Sequence, residues 1–239
     1  MIVEFDYQPI LEDFKKNKDM KLSSILKILE NSGNKHSDLA GDNIISGSNN
    51  GKAWILTDWM LEIISYPKYG DKIVAKTWSE PVKHPLICTR DFELFCNGQL
   101  CVKATTKWIQ LDLTTNRPCK LDQALIEKYN PEDKMEFPDA KLPRLITPET
   151  FTNEAKIQIR REDIDFNDHV HNLTYLDYAL EALPKEIYDS RDFRNVRISY
   201  KIAAKEGENI TCKYAFAEEK HVCCIFGDDN ILKTQIELR

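Results

Sequence analysis

Residues 165–181 read DFNDHVHNLTYLDYALE, and they gather the most reactive chemistry of the chain. Asp165, Asn167 and His169 stand at alternate positions. In an extended segment alternate side chains share a face, which would converge a carboxylate, an amide and an imidazole and turn Phe166 and Val170 the other way. From about Asn172 the pattern becomes that of an amphipathic helix, whose first turn offers unpaired N–H groups and the positive end of the helix dipole. A base, an orienting amide and a place for a developing oxyanion together suit acyl transfer. The same residues also fit plain helix-entrance chemistry, because Asp and Asn favour caps and the turns before them, with Asn172 as the cap. Spacing alone leaves both readings open.

Other chemistries find less support. GSNNGKA (47–53) is one residue short of a phosphate loop and has Ala53 where a hydroxyl would meet magnesium. There is no GxGxxG, no GxSxG and no HExxH. His169 and His171 near Asp165, or His221 with Cys223 and Cys224, are conceivable metal ligands. However, HVCCIFG reads as a strand, which sends the two cysteines to opposite faces. Neither group has standard metal-site spacing, so no metal and no cofactor are expected.

The elements that must position the triplet follow from periodicity. Leu22, Ile25, Leu26 and Leu29 have helical spacing, with Gly33 a candidate end, and the polar stretch GDNIISGSNNGK then reads as a loop. WILTDWMLEIISY, DKIVAKTWS, LICTRDFELFC and QLCVKATTKWIQLD read as strands, with Asn97-Gly98 a hairpin turn between two of them. Residues 114–150 hold five of the ten prolines and many charges, the mark of a connecting stretch with one short helix. After it come AKIQIR, the helix of the opening motif, and four more strands: NVRISYKIAA, NITCKYAFAE, HVCCIFG and ILKTQIELR.

The halves resemble each other. LSSILKILE (22–30) aligns with LTYLDYALE (173–181) at an offset of 151, and KYGDKI (68–73) with KEGENI (205–210) at 137. Two matches in the same order point to a duplicated unit of one strand, one helix and four strands. A long helix with a mostly antiparallel sheet is an α+β arrangement in which the sheet wraps the helix. The expected organisation is an N-terminal unit over 1–125, a linker over 126–150 and a C-terminal unit over 151–239.

Bulk properties narrow the function classes. The net charge is −6 with 30% charged and 42% hydrophobic residues, ordinary for a water-soluble protein and unsuited to a nucleic-acid surface. Seven cysteines, mostly inside apolar strand-like runs, read as buried free thiols in a reducing cytoplasm. The first residues, MIVEFDYQPILEDF, lack the basic-then-apolar pattern of a signal peptide. No apolar run is long enough to span a membrane.

DFNDHVHNLTYLDYALEALP resembles the motif DxNxHVNNxxYxxWxLExxP of the acyl-acyl-carrier-protein thioesterases. WMLEIISYPKYGDKIVAKTW (59–78), WIQLDLTTNRPCKL (108–121) and RREDIDFNDHV resemble further segments of that family, in its order and over nearly the whole chain. The resemblance implies a tandem (double) hotdog fold, two long helices each wrapped by an antiparallel sheet, with the sheets continuous between halves. It implies hydrolysis of fatty acyl-ACP thioesters to free fatty acid, with acyl carrier protein as the partner; the sequence leaves monomer and homodimer both open. Asp165, Asn167 and His169 fall on the family's catalytic Asp, Asn and His, and the helix N-terminus near the backbone of Val170 and His171 is where an oxyanion is expected to be stabilised. His171 replaces a family Asn and Tyr178 a family Trp. Ala203 and Ala204 stand where the family has a Glu and, in plant members, a Cys. A cysteine nucleophile is therefore unsupported there, and Glu181 and Glu206 are the candidate auxiliary acids. Ile25, Leu29, Trp54, Trp59 and Leu61 are candidates for an acyl pocket. Arg160, Arg161, Arg194, Arg197, Lys201 and Lys205 are candidates for docking the acidic carrier. An acyl-CoA thioesterase of the same fold and a non-hydrolytic acyl-thioester binding protein are the alternatives.

Overall fold

The structure, a computed structural model, describes residues 1–42, 51–138, 142, 144–190 and 192–239. These fall into two compact units, Met1–Lys141 and Leu142–Arg239. In the first unit β1 (Val3–Tyr7) precedes α1 (Leu22–Leu39), followed by β2 (Lys52–Ile63), β3 (Ile73–Ser79), β4 (Cys88–Cys96), β5 (Gln99–Asp112), the short β6 (Arg117–Cys119) and α2 (Gln123–Lys128). Its strands pair antiparallel in the order β1-β3-β4-β5-β2, and β6 extends the β5 ladder beyond the end of β4. In the second unit β7 (Asn153–Gln158) precedes α3 (Thr174–Glu181) and α4 (Lys185–Ser190). There follow β8 (Asn195–Tyr200), β9 (Asn209–Ala217), β10 (Lys220–Gly227) and β11 (Leu232–Leu238), in the order β8-β11-β10-β9-β7. Each unit is thus a helix laid on an antiparallel sheet, the expected hotdog arrangement.

The strands form where period-2 alternation meets β-branched and aromatic residues. On the helix-facing side of the first sheet, Trp59, Leu61, Phe92, Leu94, Val102 and Ala104 are buried with Ile25, Leu26, Ile28 and Leu29 of α1. Asn97 and Gly98 both have positive φ, +52° and +81°, as a two-residue hairpin requires. α1 does not end at Gly33. It continues to Leu39, with Gly33 buried against the Arg90 and Phe92 side chains. Arg90 then donates from Nη1 to the Gly33 carbonyl at 3.1 Å and lies 3.0 Å from His36 Nδ1, so packing and hydrogen bonds outweigh the helix cost of a glycine. The polar loop expected after α1 lies mostly outside the described residues. β1 was not singled out in the sequence, although Val3, Phe5 and Tyr7 alternate as strand residues should.

The proline-rich stretch includes α2, capped by Asp122, whose carboxylate accepts from the Ala124 N–H at 3.0 Å. Residues 132–136 then cross the outer face of the first sheet. Trp78 donates its indole N–H to the Lys134 carbonyl at 2.8 Å, and Lys134 Nζ lies 2.6 Å from Glu93 Oε1. The Glu136 N–H donates to Asp91 Oδ2 at 2.8 Å. Further on, Ile146 accepts from Gln235 Nε2 at 2.6 Å within the second unit. All seven cysteines are free and only Cys119 is not buried. No helix among the described residues is long and apolar enough to cross a membrane.

Asp91 is fully buried, and that burial pushes its carboxyl up to about 7, with Glu80 adding to the rise and the Glu136 N–H and Thr105 opposing it. The folded state therefore holds a proton that the unfolded chain releases near pH 4. Stability from this source is full below about pH 4 and declines as pH rises through about 7. Asp91→Asn, which removes the titration, is expected to flatten the fall in melting temperature between pH 5 and pH 8. Parallel melting curves for mutant and wild type across that range would contradict this.

Candidate active site

The segment carrying Asp165, Asn167 and His169 is a tight turn and not an extended strand. Asp168 donates its N–H to the Asp165 carbonyl at 3.1 Å, the Asp165 N–H donates to the His169 carbonyl at 2.8 Å, and Ile164 bridges Val170 at the base. Two local features explain this departure from the expected geometry. Asp165 Oδ1 accepts from the Asn167 N–H at 2.8 Å, an Asx turn, and Asp168 takes φ +61°, which a short polar side chain tolerates. The turn places Asp165 and His169 opposite each other at its two ends, both half-buried, with Asn167 exposed at its tip. The Asn167 amide nitrogen is 3.5 Å from Asp165 Oδ2.

The turn is anchored by a buried acid absent from the expected site residues. Asp163 accepts from the Arg160 N–H at 3.0 Å, from the Arg160 guanidinium at 2.6 Å, and from the Tyr178 hydroxyl at 2.6 Å. Burial pushes its carboxyl upward, but these donors more than offset that and hold it below the ordinary carboxylate range. The first unit builds the same device. Asp13 accepts from the Ile10 N–H at 2.9 Å and from the Tyr7 hydroxyl at 3.1 Å. Lys18 donates its N–H to the Lys15 carbonyl at 2.9 Å with φ +71°, and the Lys15 N–H donates to the Asp19 carbonyl at 2.7 Å. Phe14 bridges Met20 as Ile164 bridges Val170.

This comparison corrects the helix alignment from 151 to 150: Asp13 matches Asp163, Asn17 matches Asn167, and from Ile25 and Tyr175 onward the burial patterns of α1 and α3 agree residue by residue. Glu12-Asp13 and Glu162-Asp163 carried that signal in the sequence. At this register the amide belongs to both copies. Lys15 and Asp19 stand at the positions of Asp165 and His169, so acid and imidazole are what distinguish the second turn.

Family models for the acyl-ACP thioesterase N-terminal domain and C-terminal domain match residues 4–129 and 147–237. The chain belongs to the acyl-ACP thioesterase family. It is 27% identical over 203 residues to oleoyl-acyl carrier protein thioesterase 1 of Arabidopsis thaliana, covering 77% of this chain and 56% of that protein. The acyl-[acyl-carrier-protein] hydrolase FATB3 of Cuphea viscosissima is 26% identical over 155 residues, covering 62% of this chain and 37% of that protein. The chain thus spans about half the length, or less, of these curated relatives. In fold it matches an acyl-ACP thioesterase from Bacteroides thetaiotaomicron with a TM-score of 0.88 at 20% identity, covering 99% of this chain and 96% of that one. It matches the 12:0-ACP thioesterase from Umbellularia californica equally, with a TM-score of 0.88 at 13% identity, covering 100% and 96%.

The other expected positions are placed as follows. The N–H groups of Val170 and His171, expected to face an oxyanion, are already engaged. Val170 donates to the Ala204 carbonyl at 2.9 Å and His171 to the Asp163 carbonyl at 2.9 Å. Among the described residues, the next two N–H groups, of Asn172 and Leu173, find no acceptor, so the open donors lie one to two residues further on. Ala203 is exposed and Ala204 is buried. Glu206 is exposed and pairs with Arg161 at 3.3 Å. Glu181 is at the far end of α3, about 10 Å along the axis from its first turn. Glu208, which was not singled out in the sequence, lies with Asp165 near enough to the Tyr175 hydroxyl for both charges to add to a rise dominated by burial. It also pairs with Lys233 at 3.3 Å.

Ile25, Leu29, Trp59 and Leu61 come together in the first unit's core, with Trp59 and Phe92 ring centroids 5.3 Å apart. Trp54 is only half-buried and donates its indole N–H to Asp42 at 2.8 Å. Of the six basic candidates, Arg160 is spent on Asp163, Arg161 pairs with Glu206, and Arg194 pairs with Asp192 at 3.0 Å. Arg197 is half-buried on β8 with its Nε buried, and Lys201, just past the end of that strand, is exposed and donates from Nζ to Ser199 Oγ at 2.7 Å. Lys205 is exposed. No group of three or more His, Cys, Asp or Glu among the described residues is placed to hold a metal ion.

Because Asp163 is held below its ordinary range, its contribution to stability is present above about pH 4 and lost as pH falls through the lower folded value. Asp163→Ala is expected to cost about 1–3 kcal/mol at pH 7. The gap from wild type should close in acid melts below pH 4, and a gap independent of pH would show that the charge plays no part.

Proposed function

We propose that the chain hydrolyses fatty acyl-ACP thioesters to free fatty acid and carrier protein. The observation that carries this reading is the asymmetry of the two turns. Both copies have the same backbone, anchoring aspartate and asparagine, yet only the second sets a carboxylate opposite an imidazole at the entrance to a helix. A structural role alone accounts for the shared parts and leaves that pair unexplained.

In this mechanism Asp165 and His169 are the general base that activates water on the thioester carbonyl. Asn167, at the tip, orients water or carbonyl and steadies Asp165 through the Asx turn. Negative charge on the carbonyl oxygen is met by the open N–H groups of Asn172 and Leu173 and by the helix dipole. The thiolate of the carrier's prosthetic arm then leaves with the proton taken up by the base. No cofactor enters. The acyl chain is assigned to the core of the first unit around Ile25, Leu29, Trp59 and Leu61, with Trp54 at its margin. The carrier docks through the basic residues of the second unit, Arg194 and Arg197 foremost.

The test is fatty acid release from acyl-ACP and acyl-CoA substrates of several chain lengths. Asp165→Ala and His169→Ala should each lower kcat by about 100-fold or more. Release from acyl-CoA at a kcat/KM equal to or above that for acyl-ACP would replace the carrier by coenzyme A. Tight binding without release would make the chain an acyl-thioester binding protein, the alternative that Ala203 keeps in view.

Docking has its own test. Arg194→Ala/Arg197→Ala should raise KM for acyl-ACP several-fold at low salt, and wild-type KM should rise with ionic strength. An unchanged KM in the double mutant would remove those arginines from the docking face.

A further inference from the structure

The two units solve one backbone problem in different ways, and the difference lies beside the candidate site. In each unit the residue that closes the turn ahead of the helix donates its N–H to the loop preceding the third strand: Met20 to the Pro67 carbonyl at 2.7 Å, and Val170 to the Ala204 carbonyl at 2.9 Å. The helices repeat at an offset of 150 and these loops at 137, so Pro67 and Ala204 are equivalent, as are Ile25 and Tyr175. Proline has no N–H and needs no acceptor at that place. Ala204 has one, the residue is fully buried, and its N–H donates to Tyr175 Oη at 2.8 Å. The helix residue facing Pro67 carries no hydroxyl, and the one facing Ala204 does.

We infer that Tyr175 is a positioning residue of the site: through Ala204 its hydroxyl fixes the carbonyl that holds Val170, and with it the adjacent His169. The inference rests on the hydrolase reading above. Two further observations support it. The Tyr200 hydroxyl donates to the Asn172 carbonyl at 3.0 Å, and its ring centroid is 5.9 Å from that of Tyr175, so a second tyrosine steadies the same helix entrance. Burial also keeps the Tyr175 hydroxyl protonated, so beyond accepting from Ala204 it has a hydrogen of its own to give, with Glu208 and Asp165 the charged groups that influence it. The first unit has Lys15 in place of Asp165 and Ile25 in place of the tyrosine, which leaves no such link.

Without the hydroxyl, Ala204 would hold an unpaired buried N–H, and the loop would shift to relieve it. The experiment compares wild type, Tyr175→Phe and Tyr175→Phe/Ala204→Pro, the last recreating the arrangement of the first unit. Tyr175→Phe is expected to lower kcat about tenfold with KM little changed, since a small misplacement of the base acts on the chemical step. It should also speed hydrogen exchange at the Val170 amide. The double variant should recover kcat to within about threefold and restore Val170 protection. A Tyr175→Phe enzyme with wild-type kcat and unaltered Val170 exchange overturns the inference. So does a folded double variant as impaired as the single one. If the double variant does not fold, Val170 exchange in Tyr175→Phe alone decides. If wild type releases no fatty acid, the hydrolase reading fails, and the exchange comparison still decides whether Tyr175 holds the turn.

Discussion

The hydrogen bond from the residue that closes the turn ahead of each helix to the loop before the third strand is the constraint on which both units depend. It ties the turn and the helix entrance, which are contiguous, to the loop before the third strand, which is distant in sequence. The buried aspartates Asp13 and Asp163 complete the tie by gathering backbone and side-chain donors beneath the turn. Helix position, turn geometry and the direction of the helix dipole are then set together. A reactive group placed on such a turn inherits a fixed relation to the first N–H groups of the helix, whatever its own chemistry.

The first unit shows what the turn becomes when it serves structure alone. Lys15 and Asp19 lie 3.9 Å apart as an ion pair, and Lys15 Nζ sits 4.3 Å over the Tyr66 ring. Charges at the two ends of the turn are satisfied within the unit. In the second unit the same ends carry Asp165 and His169, and Asp165 spends one oxygen on the turn while Asn167 only approaches the other. Duplication thus supplies an internal control: what is common to the two copies belongs to the fold, and what differs needs another reason.

The repeat, α1, α3, the short helix of the connecting stretch, most strands and the Asp-x-Asn-x-His triplet were legible in the sequence because each has a strong local signal, either hydrophobic period or the spacing of a motif. The shape of the triplet was not legible. Alternation implies an extended segment only where nothing local competes, and here Asp165 and Asp168 supply turn chemistry that overrides it. The engaged N–H groups of Val170 and His171 depend on Ala204 and Asp163, contacts that no spacing rule reveals. The off-by-one helix register came from matching Leu-Glu pairs at the helix ends, where Glu-Asp before the turn was the firmer anchor. Gly33 misled for a related reason: a glycine ends a helix only if tertiary packing does not hold it, and Arg90 and Phe92 do.

Ala203 and Ala204 sharpen the question of the auxiliary acid. A carboxylate at 203 would stand on an exposed stretch, and the next residue is committed through both its N–H and its carbonyl. The loop's backbone is therefore spoken for by the turn, leaving acids on either side of it to supply charge. Glu206 leans outward to Arg161, and Glu181 stands at the wrong end of α3. Glu208 begins the ascent into β9 and approaches the tyrosine that holds the loop, so it is the acid whose field acts on the same hydroxyl as Asp165. It also forms an ion pair with Lys233, whose side chain is largely buried. In the proposed mechanism the Asp165 and His169 pair acts without that glutamate, and Glu208 adds its charge near the Tyr175 hydroxyl.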